Sequence, residues 1–247
     1  MVLRSRLSAA LALAMLCACG TVGPPPNIDP ALSALVPPAT VALAGVNLDQ
    51  LRASPLYAKA PPAVQAFLTP FAKAHEVLIA STGTQLLAIA RGEVSGATAA
   101  PGRIALYGAP ELIAAGTARH TPANILPLGE SVAAGHSIWI ALRGGIALPL
   151  EGNAVNLNNL LRGAESVTIA LRPDDPAGID VTAQCSTPDA AQHFDQTVRA
   201  LATLTAATTR DPQIAAALQA IVITRTDRVV RIASRAPLSV FSGLFGG

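Results

Sequence analysis

The side chains of this 247-residue chain with most chemistry to offer are four histidines, three cysteines and a group of arginines near the C-terminal end. The histidines, His75, His120, His136 and His193, are scattered, and no two stand at metal-ligand spacing; His75-Glu76 lacks the second histidine of a zinc-binding helix. Gly129-Glu130-Ser131-Val132-Ala133 approaches the G-x-S-x-G nucleophile turn but has alanine where the sharp turn requires a second glycine. Neither Lys59 nor Lys73 has a serine three residues before it, and there is neither a G-K-[ST] loop nor G-x-G-x-x-G. His193 stands one helical turn after Asp189, the geometry of a solvated i,i+4 pair or, with a serine from elsewhere, of a catalytic dyad. Asp174-Asp175 sits between Pro173 and Pro176 ahead of Ala177-Gly178, where turn formation explains the carboxylates better than acid–base work. These residues therefore predict no catalytic group, no metal and no cofactor, and leave a hydrolase with an unrecognised site as a rival.

Arg225, Arg228, Arg231 and Arg235 gather on the last predicted hairpin. Strand alternation puts Arg231 and Arg235 on one face, opposite Val230 and Ile232. That face is either simply solvated or a docking patch for an anionic lipid or polysaccharide. Cys185 shares the inward phase of Val181 and Ala183, the setting of a buried small hydrophobe rather than a reactive thiol.

The elements that must position these residues follow from pattern. Thr40–Val46 is a strand, and Asn47, with Gln50 three residues on, is a helix N-cap. Ser54-Pro55 breaks that helix, and another starts after Pro61-Pro62 and is interrupted at Pro70. Val77–Ala80 and Leu86–Ala90 form a hairpin, Ile104–Tyr107 a strand, and Ala109-Pro110-Glu111 opens a helix stopped by Gly116. Residues 117–135 show little pattern, Ile138–Ile140 is a strand, and 148–161 is ambiguous. Val167–Leu171 and Ile179–Cys185 alternate as strands with one buried face. Thr187-Pro188-Asp189 starts a long helix with Phe194, Val198, Leu201 and Leu204 as its apolar stripe. Ile214–Leu218 is helical, Ile221–Thr224 pairs with Val229–Ser234, and Ala236-Pro237 opens a final helix. Hairpin, strand and Ala-Pro helix thus occur twice, and Arg103-Ile104-Ala105 recurs as Arg231-Ile232-Ala233, which suggests an internal duplication.

At the N-terminus, Arg4 and Arg6 precede ten apolar residues, Leu7–Leu16, too few for a membrane-crossing helix, which needs about 20. The run closes in Leu16-Cys17-Ala18-Cys19, which resembles the lipobox of bacterial prolipoproteins. That resemblance implies cleavage before Cys19 and acylation of its thiol; Cys17 fits less well, because Leu16 occupies its preceding position. Gly20 lacks the aspartate that retains many lipoproteins in the inner membrane, so the same resemblance implies an outer-membrane location facing the periplasm. Proline-rich residues 19–38 read as an extended stalk. Without Arg4 and Arg6, the 17 basic and 15 acidic side chains become 15 of each, so nucleic acid is not an expected partner. Aromatics make up only 3% of the chain, which argues against a deep aromatic-lined pocket. With Cys19 acylated and Cys17 removed, Cys185 has no disulfide partner.

Val41–Tyr57, in particular Val46-Asn47-Leu48 and Leu51-Arg52-Ala53-Ser54-Pro55-Leu56-Tyr57, is similar to the opening of a loose group of uncharacterised exported bacterial proteins, which also share a hairpin ending like Ala88-Ile89-Ala90-Arg91-Gly92. That likeness implies an α+β fold and no activity. The sequence therefore predicts a signal peptide over 1–18, a lipidated cysteine and stalk over 19–38, and one α+β domain over 39–247, with halves 39–150 and 151–247. Its sheet is antiparallel, built from hairpins, with helices on one side. The expected role is non-catalytic: an envelope lipoprotein held to the membrane by its lipid and binding an envelope protein or an anionic envelope component. A carrier of apolar ligands such as lipids is the alternative, distinguished by an apolar cavity between sheet and helices.

Overall fold

The structure is a computed structural model and describes residues 27–58, 62–145, 161–174, 176–238 and 240. Cys19, the signal segment, Asp175 and most of the ambiguous stretch 148–161 lie outside them. The strands are β1 (Ala42–Asn47), β2 (Lys73–Ser81), β3 (Leu86–Glu93), β4 (Thr98–Ala100), β5 (Ile104–Gly108), β6 (Ile138–Arg143), β7 (Ala164–Arg172), β8 (Ala177–Cys185), β9 (Val222–Thr226) and β10 (Val229–Ala236). The helices are α1 (Pro30–Ser33), α2 (Leu48–Ala53), α3 (Pro55–Ala58), α4 (Pro62–Leu68), α5 (Pro110–Thr117), α6 (Leu126–Ala133), α7 (Pro188–Thr208) and α8 (Pro212–Gln219). Local chemistry sets their ends. Asn47 Oδ1 accepts the Gln50 N–H at 2.9 Å to start α2, and Thr187 Oγ1 accepts the Ala190 N–H at 3.0 Å to start α7. Asp211 Oδ1 caps α8 by accepting the N–H groups of Gln213 and Ile214 at 2.8 and 3.3 Å.

All ten strands join one antiparallel sheet in the order β4-β5-β3-β2-β1-β6-β7-β8-β10-β9. This is the α+β architecture with a hairpin-built sheet that the sequence predicts. Outward from the central β1·β6 seam, each half runs through its first, second, third, fifth and fourth strands, so the two halves repeat one topology. The second half starts at Ile138, earlier than the 150/151 boundary expected from sequence. Its counterpart to the β2–β3 hairpin is β7–β8, and β10 matches β5; each of these last two leads into an Ala-Pro step. The recurrent tripeptide does not carry this repeat. Ile104 belongs to the front cluster with Ile89 and Leu106, whereas Ile232 belongs to the back cluster with Val167 and Val230.

Helices cover both sides of the sheet rather than the single side expected. The reason is legible in β3, where the consecutive residues Leu87, Ala88, Ile89 and Ala90 are all buried, so each face there needs a cover. On the front, residues 28–36, α5 and α6 bring Ile28, Leu32, Val36, Leu112, Ile125 and Val132 onto Leu43, Leu78, Ile89, Leu106 and Trp139. On the back, α2 sets Leu48 and Leu51 against Val77, Ala88 and Ala90, while α7 sets Ala191 and Phe194 against Val167, Ala183 and Val230. Residues 27–36 are thus part of the core, not of a stalk: Ile28, Leu32 and Val36 are at most 1% exposed. Asp29 both caps α1 and pairs with Arg91 on β3, fixing that segment to the sheet. Helix α6 reaches as far as Ala170 on the front of β7; beyond it, among the described residues, no helix lies over the front of β8, β10 and β9, where Thr182, Arg231 and Thr224 stand side by side with Thr168 of β7.

Candidate functional site

The α7–α8 pair does not press evenly on the back of the sheet. At the start of α7, Ala191 and Phe194 are buried, but none of its residues beyond Phe194 is, and α8 has no buried residue. The groove-facing positions of α7 begin with the ring of Phe194 and then carry smaller side chains, Val198, Leu201, Ala202 and Thr205. Short side chains cannot fill the roughly 10 Å between packed layers, so the helices stand off and a groove opens. Its volume is about 440 Å³. Leu142, Val167, Ile169, Val181 and Ile232 form its sheet side, Phe194, Val198, Leu201 and Ala202 its helix side, and Leu218 with Ile221 its far end. Among the described lining residues Thr205 carries the single side-chain hydroxyl. Leu201 is 38% exposed and the neighbouring Leu204 is 62% exposed, so apolar surface continues from the lining out to solvent. Arg199 ties α7 to the sheet edge: its Nη2 donates to the Ile223 carbonyl at 2.7 Å and its Nε to Asp195 Oδ1 at 3.0 Å. The apolar stripe of α7 was visible in the sequence; the gap beneath it was not, because it depends on how α8 leans.

The four arginines expected to act together are separated. Arg231 and Arg235 project from the front of β10, as alternation requires. Arg225 stands opposite Val230 and so belongs to the back. Arg228, in the β9–β10 turn, lies 3.9 Å from Glu165 and 4.0 Å from Asp227. The front face instead adds Arg172 from β7 and Arg143 from β6. Among the described residues Asp180 is the acid that lies between them, paired with Arg172 and, at 3.6 Å, with Arg235. Arg172 and Arg143 were missed because they are distant in sequence; strand order brings them in.

The nucleophile-like serine is structural, since Ser131 Oγ donates to the Leu128 carbonyl at 2.7 Å within α6. His75 Nδ1 lies 2.9 Å from Asp49 Oδ2 on an exposed surface. His120 and His136 bond to backbone carbonyls of Thr121 and Val132, both at 2.9 Å, and His193 is exposed on α7. Among the described residues no group of three or more His, Cys, Asp or Glu could hold a metal ion. Burial pushes the Glu76 carboxyl up, with the charge of Asp29 adding to it and Arg91 opposing. For Asp29 burial also pushes up, but the hydrogen bonds from Arg91 and the Ala31 amide, with the charge of Arg91, bring it below its ordinary value. Both carboxylates face Arg91 as structural partners of α1. Cys185 is fully buried, and burial, followed by the charge of Glu165, pushes its thiol up. Among the described residues, no helix is long and apolar enough to cross a membrane. No family model, no curated protein and no solved structure matches the chain.

Proposed function

We propose that this chain is a non-catalytic envelope lipoprotein, anchored through Cys19 to the outer membrane on its periplasmic side, that holds an apolar ligand such as a lipid acyl chain between α7–α8 and the sheet. The groove carries this reading. It lies in the size range of small-molecule sites, which run from about 300 to 1,000 Å³, and its lining is aliphatic apart from Phe194 and Thr205. Half-buried Ile169, Val181 and Ile232 sit in the middle of a sheet face that helices ordinarily seal. Filling that space with a chain of methylenes removes about 0.8 kcal/mol of apolar exposure per CH₂. The small residues of α7 make room for such a chain without any change in the sheet.

The test uses the purified chain with a fluorescent fatty acid. Saturable binding that unlabelled fatty acid displaces is the expected result. Ala202→Phe puts a ring where the groove now runs and is expected to weaken binding about tenfold or more, the equivalent of about 1.4 kcal/mol. Trp139 emission, reporting from the other face of the sheet, should not change. Absence of binding, or a variant that binds as the parent does with its fold intact, overturns the reading.

A further inference from the structure

The chain enters its fold on the front of the sheet. The Asn27 N–H donates to Glu130 Oε2 at 2.8 Å, and the Asn27 side-chain amide donates to the Glu130 carbonyl at 3.2 Å, both on α6. That helix flanks the uncovered front of the second half, packing Val132 and Ala133 in the same cluster as Ala170 of β7. Cys19 is only eight residues before Asn27, a span of at most about 28 Å when fully extended. Whatever membrane holds Cys19 therefore lies within that distance of the front side. Because residues 27–36 are core, there is no longer stalk to turn the domain over.

The sheet surface on that side carries more arginine than acid. Arg143, Arg172, Arg231 and Arg235 share the front of β6, β7 and β10, and among the described residues Asp180 is the acid between them. Arg143 and Arg231 are exposed and sit on different strands, so the charge spreads over a face rather than a point. Thr168 and Thr182 lie between the arginines and Thr224 beside Arg231 at the sheet edge, hydroxyl donors suited to phosphate oxygens. The back is balanced instead: α7 and α8, with their caps and joining turn, carry Asp189, Asp195 and Asp211 against Arg199 and Arg210, and β9 adds Arg225.

We infer that this front face docks onto the anionic phospholipid bilayer in which the chain's own lipid is anchored. The inference rests on the anchoring of Cys19 and is independent of what fills the groove. A short tether keeps the face near the membrane, which raises its effective concentration there above that for a free polyanion or a soluble acidic protein. Each arginine near an anionic surface favours the docked state by about fivefold, and the attraction fades within a Debye length of about 8–10 Å.

The experiment uses the chain purified from membranes, with acylation of Cys19 read by intact mass, reconstituted into nanodiscs of phosphatidylcholine with or without phosphatidylglycerol. A fluorophore is placed on Thr224→Cys, on the front of β9, or on Thr208→Cys, on the back; buried Cys185 stays unlabelled. Lipid-borne nitroxide should quench the Thr224 site in discs containing phosphatidylglycerol and leave the Thr208 site bright. The quenching should vanish in about 1 M NaCl, where the Debye length is ~3 Å, and in the double variant Arg231→Glu, Arg235→Glu. Equal quenching in neutral and anionic discs, or persistence in the double variant, overturns docking. So does quenching that appears only when an acidic envelope protein is added. If the mass shows Cys19 unmodified, the anchor reading fails by itself. Docking is then decided by co-sedimentation of the same chain with phosphatidylglycerol vesicles, where salt-sensitive binding lost in the double variant supports it and no binding overturns it.

Discussion

Cys185 closes β8 with its side chain in the core that α7 seals, and its Sγ belongs to the chain's only cysteine among the described residues. A thiol reacts as thiolate, and here burial holds the thiol form beyond its ordinary pH range. A bulky maleimide is therefore expected to label Cys185 slowly in native buffer and rapidly once denaturant unfolds the chain. Native labelling as fast as that of the unfolded chain would contradict the burial. The linkage has a definite sign. Because the folded thiol ionises at higher pH than the unfolded one, the stability it contributes is complete below the ordinary thiol range and is lost as pH rises through the folded value. The phase of Cys185 was legible from alternation with Val181 and Ala183. The same rule, applied to Arg225 against Val230, already separates that arginine from Arg231 and Arg235. What alternation could not supply was Arg143 and Arg172, whose nearness to β10 depends on strand order.

Helix α6 packs onto the seam between β1 and β6 through the absence of side chains. Trp139 of β6 lies across Gly45 of β1, and a Cβ at Gly45 would stand 2.3 Å from the indole Cε2. Gly45→Ala should therefore destabilise the fold by about 1–3 kcal/mol through overpacking. Urea unfolding followed by the emission of Trp139, the chain's one tryptophan, measures it; a change below about 0.5 kcal/mol would mean that the ring moves aside freely. Helix α6 itself could not be read from sequence. Pro127 and Gly129 weaken its helical pattern, yet Gly129 is what lets it approach, since a Cβ there would sit 3.2 Å from Ile28 Cδ1 and 3.3 Å from Trp139 Cη2. Strand β4 escaped for a different reason: it is three residues of Thr and Ala at the sheet edge. Elements with caps, such as α2 and α7, or with clean alternation, such as β7 and β8, were legible because one local rule determines each.

At the scale of the molecule, the proline-rich entry shows how composition can mislead. Prolines surround residues 27–36, but Ile28, Leu32 and Val36 recur every four residues, one helical face in which all three are buried. Leu32→Ala should cost about 2–5 kcal/mol of unfolding free energy by urea denaturation, as for other large core residues. A loss under about 0.5 kcal/mol would return the segment to the role of a stalk. The seam has a consequence of another kind. It pairs Ala42 with Leu142 and Val46 with Ile138, partners about a hundred residues apart along the chain. The β2–β3 and β7–β8 hairpins, by contrast, close over a few residues each. Loop-closure entropy makes the local pairs fast and the distant one slow, so the two halves collapse first and the seam joins last. Until it joins, β1 and β6 each offer an unpaired edge to the other half, and the same edges in a neighbouring copy can answer. Crowded unfolded chains are therefore liable to exchange halves across this seam, a domain-swapped pairing with the same hydrogen bonds as the monomer.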